Sequence, residues 1–165
     1  MSESPPFFAK SPEDLPDLAT ILSMSGREFM ERIRDGKLPH PPIGALLDYH
    51  VQDVGDGTVT FRGTPAFSHM NPTGTVHGGW YGTLLDSCMS CAVMTALPAG
   101  SGYTTLEYKV NLVRAVPLGT PVLAIGTLDH IGRSTGVARG VIKGAEDGRI
   151  YATGTATCLV MQPKV

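Results

Sequence analysis

The chain has 165 residues, of which 42% are hydrophobic and 17% are charged. This length suits one domain with its own core, and the composition excludes a disordered chain and a coiled coil. A net charge of −2 provides no basic surface for nucleic acid or an anionic membrane, so neither is an expected partner. No signal-peptide pattern is found, no apolar run approaches the ~20 residues that span a bilayer, and the three cysteines are an odd number for a disulfide framework. We therefore expect a soluble, cytoplasmic protein.

The first quarter of the chain is predicted to be separate from the main domain. Residues 1–10 are expected to be unstructured, and residues 11–36 contain short helical patterns. The proline-rich stretch 38–42 cannot continue a helix, because proline lacks the N–H and disfavours helical geometry before it. We therefore predict an N-terminal helical arm with a proline-rich linker over residues 1–40, followed by the main domain over residues 41–165.

The main domain combines strands with one long helix. Apolar residues recur at intervals of three and four over residues 79–97, which predicts a helix. The other segments have strand character and are divided by short turns, which leave no room for the crossover helices of a parallel sheet. We therefore predict an α+β fold in which an antiparallel sheet wraps one central helix. The predicted strands are residues 45–54, 58–63, 103–116, 121–131, 135–143 and 149–161.

A polar, glycine-rich loop, residues 71–79, leads directly into the predicted helix. The first turn of a helix presents unpaired N–H groups and a partial positive charge, which suit a carbonyl oxygen that becomes negative during a reaction. The adjacent Gly78 and Gly79 would let a ligand approach this backbone closely. The alternative is that the two glycines only form a tight turn into the helix.

Asp86 follows Gly79 by two helical turns and shares its stripe with small residues such as Thr83 and Ser90. A lone carboxylate in an apolar helix is costly to bury unless it is paired or functional. An Asp that simply faces solvent would carry no function, and the spacing leaves both interpretations open.

The spacing does constrain any site that uses both ends of this stripe. Gly78 and Asp86 are eight residues apart, which corresponds to roughly 12 Å along a helix. A nucleophile must come within ~3 Å of the atom that it attacks, so one chain cannot bring both residues to one carbonyl. Two antiparallel copies of the helix across a twofold axis would bring them together. A site that uses both residues therefore requires a dimer.

The loop and the helix together contain the pattern Asn71-x5-His77-Gly78-Gly79-x6-Asp86. This pattern resembles the signature of the PaaI-type hotdog thioesterases. The resemblance extends over roughly residues 40 to 163 and implies a hotdog fold that hydrolyses a small aryl-acyl or medium-chain acyl-CoA. It implies no metal or organic cofactor, and a homo-oligomer that is either a dimer or a dimer of dimers.

The resemblance also implies a role for each matched residue. Asp86 would be the nucleophile or the general base, and the N–H of Gly78 would polarise the thioester carbonyl. Asn71 would orient the water or the carboxylate, His77 would lie near the sulfur leaving group, and Thr105 would help to place the attacking water. Asp86 and Thr105 of one chain would face the other three residues in the partner subunit.

Three further residues are expected to contact the substrate. Gly79 and Thr83 lie on the stripe beside Asp86, and Arg133 lies in a turn that, in the resembling family, is near the CoA nucleotide. The sequence is equally compatible with Arg133 being an ordinary arginine of the turn that only contacts solvent. Two other functions stay open as well: a hotdog enoyl-CoA hydratase, and a non-catalytic dimer that binds acyl-CoA.

Two short motifs match known patterns but do not predict a functional site here. Residues 132–136 match the G-x-S-x-G nucleophile pattern, which requires a strand-to-helix elbow, whereas here the pattern joins two predicted strands. Cys88 and Cys91 form a lone C-x-x-C without a second ligand pair, so they are interpreted as buried helix thiols and not as a metal or redox site.

Overall fold

The computed structural model describes residues 6–161, which form several short helices, one long helix and six strands. Short 3-10 turns at Pro12–Asp14 and Phe67–His69 precede the first and the last helix. Within residues 6–161, no helix combines the length and the apolar character needed to cross a membrane. The elements are α1 (Leu18–Leu22), α2 (Gly26–Arg34), α3 (Pro42–Leu47), β1 (Tyr49–Gly55), β2 (Thr58–Gly63), α4 (Gly78–Thr95), β3 (Gly102–Leu112), β4 (Val122–Ile131), β5 (Thr135–Gly144) and β6 (Ile150–Met161).

The six strands form one antiparallel sheet in the order β1-β2-β4-β5-β6-β3. Helix α4 packs against β2, β3, β4, β5 and β6, so the sheet wraps around it. Leu84, Leu85 and Met89 of α4 are fully buried, as expected for a helix enclosed on several sides. The predicted α+β arrangement is confirmed, and β1 and β3 are the two edges of the sheet.

A row of three glycines crosses the sheet beneath α4. Gly126 on β4 is paired with Gly140 on β5, which is paired in turn with Gly154 on β6. A Cβ atom at Gly126 would overlap the carbonyl oxygen of Cys88 in α4, whereas one at Gly140 would first meet the Met89 side chain, at 2.8 Å. Glycine in a strand often marks such a close backbone approach. The row therefore lets α4 lie close to the sheet.

The strand predicted to begin at residue 45 in fact begins at residue 49, because residues 42–47 form α3. Pro42 occupies the first turn of this helix, where the missing N–H costs nothing and the fixed φ angle is already helical. Asp48 ends the helix in the left-handed conformation, with φ of 51°.

The expectation of an unstructured start is wrong for part of residues 1–10. The N–H of His40 donates to the carbonyl of Phe7 at 2.7 Å, and the N–H of Ala9 donates to the carbonyl of His40 at 3.0 Å. These bonds form a short parallel bridge between Phe8 and His40, which lies two residues before α3. Residues 1–5 lie outside the described part of the chain.

Helix α2 joins the arm to the rest of the molecule. Its apolar face buries Met30 and Ile33 in the main core, and the N–H of Gly26 donates to the carbonyl of Leu97 at 3.0 Å, just beyond α4. Helix α2 packs against both β1 and α4. The division into an arm over 1–40 and a domain over 41–165 stays a prediction.

Candidate active site

The glycine-rich loop is held at the start of α4 by its own hydrogen bonds. The N–H of Asn71 donates to the carbonyl of Thr75 at 2.7 Å, and its side-chain amide donates to Thr75 Oγ1 at 3.1 Å. The N–H of His77 donates to the carbonyl of His69 at 2.8 Å. This closed loop delivers Asn71, His77 and Gly78 to one end of the helix.

His77 caps α4. Its Nδ1 accepts the N–H of Gly79 at 2.8 Å, which satisfies one of the unpaired donors of the first turn. In the neutral ring, an Nδ1 that accepts a bond leaves the proton on Nε2. The exposed His77 therefore presents an N–H donor to solvent.

The two glycines at this helix end differ in their N–H groups. The N–H of Gly79 is bound by His77, whereas the N–H of Gly78 has no hydrogen-bond acceptor within residues 6–161. Gly78 is half-buried, so its N–H is a donor positioned for a ligand oxygen.

Asp86 lies in the middle of α4 and is paired with β3. Thr105 Oγ1 donates to Asp86 Oδ1 at 3.0 Å, and both residues are half-buried. This pairing brings together two residues that are 19 positions apart. Of the two interpretations left open by spacing, the paired carboxylate is the one observed; an Asp that simply faces solvent is not.

Thr83 and Arg133, which were predicted to contact the substrate, make no hydrogen bond with Asp86 or Thr105 in the part of the chain that the structure describes. Thr83 Oγ1 donates to the carbonyl of Gly79 at 2.9 Å, so its hydroxyl proton is used within the helix. Arg133 lies in the exposed turn between β4 and β5, and in residues 6–161 its side chain makes no hydrogen bond or ion pair. The neighbouring Ser134 joins two strands, so the G-x-S-x-G match has no nucleophile elbow.

Gly78 and Asp86 both belong to the one continuous helix α4. They are therefore separated by roughly 12 Å along its axis. Within residues 6–161 of one chain, Asp86 and Thr105 lie together at one place, and Asn71, His77 and Gly78 lie together at another.

The β3 edge beside the site is apolar and exposed. Tyr108 faces Gly82 of α4, since a Cβ at Gly82 would lie 3.5 Å from the Tyr108 hydroxyl, and Leu112 lies similarly beside Gly78. Leu106, Tyr108 and Leu112 are 58%, 45% and 56% exposed. Within residues 6–161 no strand pairs with the outer side of β3, and such an edge leaves backbone N–H and C=O groups available for further pairing.

Sequence reasoning missed a second polar contact next to Asp86. The hydroxyls of Tyr49 on β1 and Ser87 on α4 are 3.1 Å apart. They are separated by 38 positions, and no local pattern relates a strand tyrosine to a helix serine at that distance in sequence. Only the packing of β1 against α4 reveals the pair.

The cysteines near Asp86 are poor nucleophiles. Burial raises the pKa of Cys91 to about 12, with the Asp86 charge as a lesser cause. Burial likewise raises the pKa of Cys88 and of Cys158. All three thiols stay protonated at neutral pH, and residues 6–161 contain no group of three or more His, Cys, Asp or Glu arranged to hold a metal ion.

Comparison with known proteins identifies a matching family and several similar structures. Residues 73–151 match the family model of the thioesterase superfamily, and no curated protein sequence matches the chain. A phenylacetic acid degradation-related protein from Ralstonia eutropha JMP134 is similar in structure, with a TM-score of 0.71 and 26% identity, over 79% of this chain and 98% of that chain.

Two further solved structures are similar. A hypothetical thioesterase from Streptococcus pneumoniae TIGR4, solved with coenzyme A, has 27% identity and a TM-score of 0.63 over 71% of this chain and 88% of that chain. The PaaI protein of the E. coli phenylacetic acid degradation operon has 17% identity and a TM-score of 0.65 over 74% of this chain and 85% of that chain. At that identity the E. coli likeness concerns the fold.

Proposed function

Since this chain belongs to the thioesterase superfamily, with the hotdog fold of its PaaI-type members, we propose that it hydrolyses a small aryl-acyl or medium-chain acyl-CoA. The products are the free acid and CoA. The observation that carries the proposal is the hydrogen bond from Thr105 to Asp86, because a held, half-buried carboxylate is the group that water activation needs.

In this mechanism Asp86 acts as general base or as nucleophile. As a base, its carboxylate takes a proton from water while the water oxygen bonds to the thioester carbon, and the carbonyl electron pair moves to oxygen. When that intermediate collapses, the C–S bond breaks and CoA leaves as a thiolate that is protonated afterwards. As a nucleophile, Asp86 displaces the thiolate itself, and water then hydrolyses the acyl anhydride.

Thr105 has a positioning role in both routes. Its donated hydrogen bond occupies Asp86 Oδ1, which leaves the other carboxylate oxygen for the reaction. The lone pairs of the Thr105 oxygen are available to accept a bond from the attacking water.

The carbonyl end of the thioester is bound by the start of α4 in a second copy of the chain. The N–H of Gly78 donates to the oxygen that becomes negative, with support from the helix dipole. Asn71 orients the water or the carboxylate, and the Nε2–H of His77 lies near the departing sulfur. A thiolate leaves readily, so this sparse set of groups is sufficient, and no metal or organic cofactor takes part.

The proposed assembly is at least a homodimer, either alone or as a dimer of dimers. The separation of Gly78 from Asp86 along α4 and the apolar, unpaired β3 edge support it. Two β3 strands that meet across a twofold axis would bury that edge and bring the antiparallel α4 helices side by side.

Two of the similar structures support an aryl-acyl-CoA as the ligand. The S. pneumoniae relative binds coenzyme A in its crystal, which favours a CoA thioester here, and the R. eutropha relative is related to phenylacetic acid degradation, which favours an aryl-acyl group. We propose that Gly79 and Thr83 contact the substrate beside Asp86 and that Arg133 contacts a CoA phosphate. A cytoplasmic location stays a prediction.

A panel of acyl-CoA substrates tests the proposal. Purified protein is incubated with phenylacetyl-, benzoyl-, hexanoyl-, palmitoyl- and crotonyl-CoA, and both free thiol and hydrated product are measured. We expect thiol release to be fastest for one of the first three. Hydration of crotonyl-CoA without thiol release would indicate a hydratase, and saturable binding without either product would indicate a non-catalytic acyl-CoA-binding dimer.

A further inference from the structure

A cavity of about 570 Å³ lies between the N-terminal arm and the β1–β2 hairpin. Phe7 and Arg34 line it from the arm, and His50 and Arg62, which are directly opposite each other in the β1–β2 ladder, line it from the sheet. None of the candidate active-site residues lines it. Its volume is within the usual range for small-molecule pockets, about 300–1,000 Å³.

The ionised side chains in the wall carry a positive excess. Arg34 and Arg62 are opposed by Asp35, the one acidic side chain lining the cavity within residues 6–161. Arg34 uses its Nε for Asp35 Oδ1, at 2.8 Å, and Glu31 and Asp53, both outside the wall, also attract it. The remaining N–H groups of the Arg34 guanidinium have no acceptor within the described part of the chain.

Arg62 has fewer partners within residues 6–161 than Arg34. Its half-buried side chain has no ion pair or hydrogen bond with any residue from 6 to 161. A guanidinium that is partly withdrawn from water loses hydration, which favours an anionic oxygen as its partner.

His40 adds a neutral donor to the same wall. Its side chain is 2% exposed, and its Nδ1 accepts the N–H of Val51 at 3.5 Å. Burial lowers the pKa of His40 to about 4, with the nearby His50 as a lesser cause, so the ring is neutral at pH 7. A neutral ring that accepts at Nδ1 carries its proton on Nε2.

We propose that this cavity binds a small ligand through a phosphate or carboxylate group, with Arg62 as the principal contact. The free edge of Arg34 is the second contact, because guanidinium groups bind such oxygens through paired N–H donors. The ligand would touch both the arm and the hairpin, so its binding would stabilise their association by mass action.

The test measures binding of two probes, inorganic phosphate and succinate, by isothermal titration calorimetry at constant ionic strength, with chloride as the reference anion. These probes contain no thioester, so the result does not depend on the proposed hydrolysis. We expect saturable binding of at least one probe, and the stronger one identifies phosphate or carboxylate as the preferred group. No binding of either probe above chloride would overturn the proposal.

Two substitutions that should change the affinity in opposite directions distinguish an effect on binding from damage to the fold. Arg62→Gln should weaken the binding about tenfold or more, as expected for the loss of one charge-assisted hydrogen bond. Asp35→Asn should tighten it about threefold or more, because it removes a repelling carboxylate. Arg149→Gln removes the same charge from an exposed turn outside the cavity and should change nothing. Equal affinity in the two cavity variants would contradict the assignment.

Discussion

Asp86 illustrates how one residue acquires a role from its neighbours. Most of the α4 side chains around it are fully buried and apolar, and a carboxylate in such surroundings needs a partner. Thr105 provides one from a different element. The hydrogen bond keeps the carboxylate in one orientation, which is the condition for repeated use of one oxygen as a base.

We therefore predict that Asp86→Asn keeps the fold and the affinity for acyl-CoA but lowers kcat by at least ~10²-fold, since the amide cannot take the proton from water. Steady-state hydrolysis and equilibrium binding, measured on the same preparation, check this. Asp56→Asn, an equivalent change in the exposed β1–β2 turn, is the matched control and should leave kcat unchanged. Undiminished turnover by folded Asp86→Asn would remove Asp86 from the mechanism.

His40 leads to a prediction about pH and stability. Its pKa is about 4 in the folded protein against an ordinary 6.5, so between these values the unfolded chain binds more protons than the folded one. The contribution of His40 is therefore complete above pH 6.5 and is lost as the pH falls toward 4, by on the order of 3 kcal/mol.

Urea unfolding at several pH values between 7 and 4 measures this loss. His40→Gln removes the titrating group and should flatten that part of the profile, even if the variant is less stable at pH 7. A variant that keeps the full wild-type pH dependence would show that other groups are responsible.

At the scale of elements, the glycine row decides how close α4 lies to the sheet. The three glycines are spaced 14 residues apart along the chain and come together only because β4, β5 and β6 are paired in this register. At Gly126 the obstacle to a side chain is the helix backbone, which cannot move without displacing α4.

Gly126→Ala is accordingly expected to destabilise the protein by about 3 kcal/mol or more, the upper part of the range for overpacked cores. Gly140→Ala, one strand away, should cost less, because the flexible Met89 and Leu85 side chains are its nearest neighbours. Denaturant unfolding of both variants compares them directly. Similar losses at the two positions would mean that α4 is free to shift.

At the scale of the whole molecule, the candidate site is divided between the start and the middle of a long helix. The half with Asp86 and the half with Gly78 belong to one rigid element, so loop motion cannot unite them within a chain. Two copies of the chain can, and each dimer then contains two composite sites.

This arrangement predicts complementation between inactive variants. After subunit exchange, a mixture of Asp86→Asn and Asn71→Ala chains should regain roughly a quarter of the wild-type activity, because half of the dimers are mixed and each has one intact site. Native mass spectrometry confirms the exchange, and activity assays measure the recovery. Exchange without recovery would mean that both residues serve the same site from one chain.

The sequence by itself determined the features that depend on local patterns. The three-to-four periodicity predicted α4 to within two residues at each end, and the turns predicted β4, β5 and β6 almost to the residue. The sequence could group Asn71, His77 and Gly78 as one set of candidate residues because they are close neighbours along the chain. Residues 45–47 were misassigned because a short apolar run is compatible with either a strand or a helix, and the first turn of α3 depends on Pro42.

Only the tertiary structure decided which distant residues meet. The strand order, with β3 at an edge next to β6, brings Thr105 to Asp86, Tyr49 to Ser87 and the arm to the β1–β2 hairpin. Contacts between residues tens of positions apart result from the packing of all the elements around one core, and periodicity within an element carries no information about them. For the same reason, the glycines that allow α4 to approach the sheet look like ordinary strand residues until the register of three strands aligns them.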